Sequence, residues 1–201
     1  SKEGSILEAL KETMDFIIRN EIKESKNKRV LIMTRERLKE VFVKKLSKFV
    51  YDNYGYYTDI VLITANVPVR IYDLGSSTYI APRGLYFIET NNSAYMVTTG
   101  KSDKFKYVGI GVPRPIKVQV LYSEDKNLDA LMRGLKATYS LTAMNWRSFW
   151  GKLRVPTPIH YSRIVARTFS LMTAEDIKNA FIKKGEYIYI ANKYEDRPWF
   201  I

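Results

Sequence analysis

The residues best equipped for chemistry lie together between Asn145 and Phe169, in the string NWRSFWGKLRVPTPIHYSRIVARTF. Arg147, Lys152, Arg154, His160, Arg163 and Arg167 surround a Pro-Thr-Pro turn that starts a helix. Thr157 suits the N-cap, and Pro158 suits the first helical position, where its missing N–H would have had no partner anyway. On that helix His160, Arg163 and Arg167 stand at i, i+3 and i+7 and share one face, with Tyr161, Val165 and Phe169 opposite. A helix start with positive side chains on its flank attracts phosphate. From Lys136 to Arg167 there is no Asp or Glu to answer these charges. The chemistry expected is therefore anion binding. Tyr139, Trp146, Phe149, Trp150 and Tyr161 interleave with the basic residues, as base-stacking groups or as anchors of the core.

Catalytic groupings are scarce. His160 is the single histidine, no Gly-x-Ser-x-Gly elbow accompanies a serine, and there is no His-Glu-x-x-His, calcium loop or phosphate-binding glycine loop. Cysteine is absent, which rules out thiolate metal sites and disulfides and fits an intracellular, cytoplasmic protein. A two-metal nuclease needs several converging carboxylates. Glu3, Glu8, Glu12, Glu21 and Glu24 fall on solvent-facing helical positions. Glu36 and Asp59 flank expected strands and read as a helix-start charge and a strand-flanking charge. The bulk charge is more telling: 33 Lys and Arg against 21 Asp and Glu leave +12 at pH 7, with a pI near 9.7. Such a surface favours a polyanion, most often nucleic acid. No apolar run reaches membrane-spanning length and no signal peptide opens the chain, so no membrane role is expected.

These side chains must be positioned by an α/β framework. The pattern predicts a helix from Ser5 to about Glu24, a buried strand over Val30–Met33, a helix from Arg35 to Tyr51 and a second buried strand over Asp59–Thr64. Between Val69 and Tyr107 short alternating runs (VRIYD, YIAP, LYFIE, AYMVTT) separated by Gly, Pro and Asn turns predict a meander of hairpins. A strand over Ile116–Tyr122 follows, with Lys117 and Gln119 on one side. A helix from Asp125 to Thr142 is expected to turn Leu128, Leu131, Leu135 and Tyr139 inward. Thr173 then caps a short helix, AEDIKNAFIKK, and EYIYIAN alternates as a strand. With only two strands ahead of the hairpins, the chain reads as the C-terminal part of a larger domain or half of a split protein.

The string LTAMNWRSFWGKLRVPTPIHYSRIVA resembles the closing part of the PIWI domain of Argonaute proteins, especially the prokaryotic kind. Upstream, VLIMT followed by Arg35-Glu36, DIVLIT, the step at Val69-Arg70-Ile71, the Gly84 hairpin and Gly111-Val112-Pro113-Arg114-Pro115 extend the resemblance back to Leu7. It implies an α/β, RNase H-like fold. Residues 1–201 would be the C-terminal portion of a PIWI-like domain, a mixed sheet with flanking helices and an inserted β-hairpin meander at about 69–109. In active members, four polar residues hold two metals and cut the target. By the resemblance the first two would precede residue 1, the third falls nearest Glu36, and the fourth falls at Arg163. A guanidinium cannot ligate Mg²⁺.

The resemblance thus implies a catalytically inactive PIWI module of prokaryotic defence. It would hold the sugar-phosphate backbone of a guide strand, or of a guide–target duplex, RNA or DNA, through Arg147, Arg154, His160, Arg163 and Arg167. No cofactor is required for that. A Mg²⁺ at the guide 5′-phosphate is compatible with it, and the terminal carboxylate of Ile201 is then a ligand. A protein partner or a missing N-terminal and MID segment completes the assembly. Two alternatives stand beside this reading. One is a metal-dependent guide-directed endonuclease with Glu36 as its own acid and the first acids outside the chain. The other is a protein-interaction subunit with a basic face.

Overall fold

The structure is a computed structural model and describes residues 2–20, 28–101, 112–143, 153–173, 175, 181–184 and 187–190. The two early apolar runs form parallel neighbours, β1 (Arg29–Thr34) and β2 (Tyr57–Thr64), paired from Arg29↔Tyr57 to Thr34↔Leu62. A parallel pair needs a helical crossover, and α2 (Glu40–Tyr54) supplies it. Strand β5 (Ile116–Tyr122) lies antiparallel on the other side of β2, with Thr64 opposite Lys117. Strands β3 (Tyr86–Thr90) and β4 (Ser93–Met96) form the hairpin expected around Asn91-Asn92, and β4 joins β5. The sheet order is β1-β2-β5-β4-β3.

Helices cover both faces. Helix α3 (Asn127–Ala143) packs Ala130, Leu131 and Leu135 onto Val61, Ile63, Met96, Ile116 and Val118. On the opposite face α2 sets Phe42, Val43 and Leu46 against Ile60, joined by Ile6, Leu7 and Leu10 of α1 (Lys2–Asn20). Strand β2 is therefore buried on both sides, which is why DIVLIT is apolar without alternation. No helix among the described residues is long and apolar enough to cross a membrane.

Four sequence expectations are corrected. Helix α2 opens at Glu40 rather than Arg35, because Thr34 Oγ1 accepts the amide of Glu36 at 3.1 Å and donates to its carbonyl, holding a turn after β1. The first half of the expected meander is not a hairpin: VRIYD and YIAP meet in the single bridge Tyr72↔Ile80. Asp73 folds the intervening chain on itself, with Oδ1 accepting from Gly75 N–H and its carbonyl from Ser76 N–H. In α3, Leu131 and Leu135 point inward, but Leu128 and Tyr139 are exposed, and Ala130, Gly134, Thr138 and Thr142 take the inner face. Gly134 sets that rotation. A Cβ there would lie 3.1 Å from Val61 Cγ1, so the helix approaches the sheet along its smallest residues. Finally, the helix expected over AEDIKNAFIKK cannot reach its end: Phe181–Lys184 is a strand (β6), antiparallel to β7 (Tyr187–Ile190). Pairing with YIYI outweighs the weak helical pattern of FIKK.

Candidate anion-binding site

Helix α3 ends with orphan carbonyls, and the chain uses them to fix the Pro-Thr-Pro segment. Leu153 N–H donates to Thr142 O at 3.1 Å, and Thr157 Oγ1 donates to Leu141 O at 2.5 Å. Thr98 Oγ1 donates to Arg154 O at 2.7 Å, tying the same segment to the end of the β3–β4 hairpin unit. Arg83 completes the seam. Its guanidinium stacks 4.2 Å over the Tyr139 ring and donates to Thr98 O, Tyr139 O and Thr142 Oγ1. A cation at a helix C-terminus is also favoured by the helix dipole.

The segment so anchored delivers Arg154 to the sheet. Its Nη2 donates to Ala65 O, one residue past the end of β2, while its Nε is buried and has no protein partner. Burial, then the charges of Arg114 and Arg70, push its pKa below the usual arginine value. Arg154 thus feels the charge of two further guanidinium groups, one on the chain after β2 and one on the chain before β5. The antiparallel pairing of Thr64 with Lys117 brings the chain after β2 and the chain before β5 to the same edge. Arg70 and Arg114 are both exposed, and among the described residues no carboxylate pairs with either or with Arg154. Like charges brought together around a buried, unsatisfied donor are what an oxyanion would offset.

The other expected site residues are distributed differently. Helix α4 spans Thr157–Ser170, and His160 N–H donates to Pro156 O at 3.0 Å, so the helix opens on Pro156, one residue earlier than expected. Ile159 enters the core beneath α3. His160 is half-buried, with its ring edge-on to Tyr161 at 5.2 Å, whereas Arg163 and Arg167 are exposed farther along the helix. The charges that Arg154 feels are those of Arg70 and Arg114, two residues that the sequence places in motifs without marking them as part of the site. Glu36 is exposed in the turn after β1, at the edge where the parallel strands end. Arg147 and Ile201 lie outside the described residues.

Asp59 is the reverse of an exposed flanking charge. It is buried within β2, at the opposite end of the sheet, and receives Arg133 Nε at 2.6 Å, Arg133 Nη2 and Arg29 Nη1 at 3.0 Å, and Ser123 Oγ at 2.6 Å. Asp125 bridges the same two arginines at 2.8 and 2.9 Å. Glu124 accepts Ser47 Oγ and the Thr58 amide. These carboxylates are occupied by the fold, and among the described residues no group of three or more His, Asp or Glu is placed to hold a metal.

The fold has counterparts in solved structures. Clostridium butyricum Argonaute bound to a guide DNA and a 19-mer target DNA superposes with a TM-score of 0.61 at 22% identity over 83% of this chain and 20% of that one. Aquifex aeolicus Argonaute gives a TM-score of 0.61 at 21% identity, over 89% of this chain and 22% of that one. The same protein with externally bound siRNA gives 0.56 at 20% identity, covering 80% and 20%. This chain therefore spans about a fifth of the length of these Argonautes. No curated protein matches it in sequence. The five-stranded mixed sheet with its covering helices is the RNase H-like arrangement of the Argonaute PIWI domain. The Piwi domain model matches residues 7–172, and the chain belongs to the Piwi domain family.

Proposed function

We propose that this PIWI module binds the sugar-phosphate backbone of a guide strand or of a guide–target duplex, and that it does so without cutting. The observation that carries the reading is Arg154, held to Ala65 O at the end of β2 with its buried Nε unpartnered and with the charges of Arg70 and Arg114 acting on it. The net charge of +12 supplies the long-range attraction. The Clostridium butyricum relative holds a guide and a target DNA. Arg163 and Arg167 are exposed on α4, and by the family resemblance Arg147 and His160 are further contacts to the guide strand.

Both Arg70 and Arg114 are exposed, so their joint replacement by Ala leaves the core intact. Binding of a single-stranded oligonucleotide by that double variant should weaken for every sequence tested. The slope of log affinity against log salt should fall by roughly 0.7 for each phosphate no longer neutralised. An unchanged affinity and slope would refute the reading.

Catalytic inactivity rests on the donor set. The position that the family resemblance assigns to the last metal ligand is Arg163. A guanidinium at that position does not fit as a ligand of a catalytic Mg²⁺. The expected result is no target cleavage by the full-length protein in Mg²⁺ or Mn²⁺. Cleavage that disappears on Glu36→Ala would establish the nuclease reading in its place.

A further inference from the structure

Arg70 takes part in two features at once. Its charge acts on Arg154, and it also lines a cleft of about 430 Å³. The cleft lies on the sheet face turned away from α3. Successive strand residues alternate between faces, so Tyr95 points there while its neighbours Ala94 and Met96 pack beneath α3. Val69, Ile71 and Tyr72 form one wall, and Phe87 of the edge strand and Tyr95 form the other.

Two aromatic rings of this cleft are left in water: Tyr72 is 54% and Phe87 is 61% exposed. The carboxylate in the lining, Glu89, is already held by Lys117 at 2.6 Å, Ser93 at 2.8 Å and Tyr95 at 3.1 Å. Lys117 also lies 5.4 Å over the Tyr95 ring. Among the described residues of the lining, the cation left for a ligand is then Arg70. An apolar floor with exposed rings and a guanidinium at one end suits a planar aromatic group that carries a phosphate.

We propose that the Tyr72–Phe87 cleft receives one unstacked nucleobase of a single strand whose adjacent phosphate lies on Arg70, Arg114 and Arg154. This rests on the backbone-binding reading and adds to it a base-stacking subsite that does not read sequence. An apolar protein side chain would fill the cleft but leave Arg70 without a role.

The test uses the full-length protein with Tyr72→Ala and Phe87→Ala combined, and fluorescence anisotropy across a salt series. The probes are a short single-stranded oligonucleotide and the same sugar-phosphate chain with abasic positions. The double variant should lose roughly five- to 150-fold in affinity for the base-bearing strand, the span that one stacked base confers. Its affinity for the abasic strand and both salt slopes should match wild type. Swapping the rings (Tyr72→Phe with Phe87→Tyr) should preserve binding, which separates stacking from a folding defect. Equal binding of the base-bearing strand by wild type and the Ala variant overturns the subsite alone and leaves the cleft as a protein-facing surface. Salt-independent binding, or none, of either probe by wild type overturns the backbone reading and the subsite together.

Discussion

At the scale of single residues, Arg154 is a charge held in place against its own solvation. Its bond to Ala65 O is worth about 1.5–3 kcal/mol as a hydrogen bond from a charged donor. Burial and the proximity of Arg114 and Arg70 oppose it. Arg154→Ala should therefore destabilise the fold by less than about 1.5 kcal/mol in urea unfolding, because relief of repulsion offsets the missing bond. Oligonucleotide affinity should fall in the same variant. A loss of stability above about 3 kcal/mol with binding intact would make Arg154 a structural strut instead. Asp59 is the contrasting case. It bonds directly to two arginines, so its oxygens are used within the fold.

At the scale of elements, the seam between the β3–β4 hairpin and the end of α3 determines where the Pro-Thr-Pro segment sits. Gly84 holds a φ of 91°, and a Cβ added there would lie 2.7 Å from Tyr139 Cε2. Only glycine meets both conditions, since a side chain would be strained in φ and would push Tyr139 from under Arg83. Gly84→Ala should cost about 1–3 kcal/mol. It should also weaken oligonucleotide binding, because Thr98 and Thr142 hold the backbone at Arg154 and at the residue before it. Thermal unfolding alongside anisotropy checks this. A stable variant with wild-type affinity would show that the hairpin does not position the site.

At the scale of the whole molecule, the sheet separates its two charged ends. Arg154 reaches Ala65 O where β2 ends, and the Asp59 network ties the start of β1, the start of β2 and α3 together at the other end. For Asp59, burial works to raise the pKa. The hydrogen bonds from Arg133 and Ser123 and the charges of Arg133 and Arg29 outweigh it, and the net shift is downward. A depressed folded pKa means that its stabilisation is fully present above the unfolded carboxylate value, about pH 3.9, and is lost as pH falls through the lower folded value. Wild type should lose stability on acidification below about pH 4. Asp59→Asn should be about 3–5 kcal/mol less stable at neutral pH, from the uncompensated arginines. It should also show a shallower acid dependence. Identical acid limbs for the two proteins in urea titrations would refute the assignment.

Much of this was legible in the residues. The runs VLIM and DIVLIT, the alternation of IKVQVLY and the Asn91-Asn92 turn depend on local pattern and local turn chemistry, and the strands stand where those patterns put them. The Pro-Thr-Pro segment and its arginines likewise pointed to anion binding from residue type and spacing, and its wording pointed to the PIWI family. What only the tertiary structure decided was partnership. That Arg154 reaches back to Ala65 O at the end of β2, where the charges of Arg70 and Arg114 act on it, depends on contacts distant in sequence. The inward face of α3 is settled by how closely Gly134 lets it approach Val61. The burial of Asp59 is settled by arginines distant in sequence. Periodicity reports which residues share a face, but contacts between residues far apart in the chain are specified by packing.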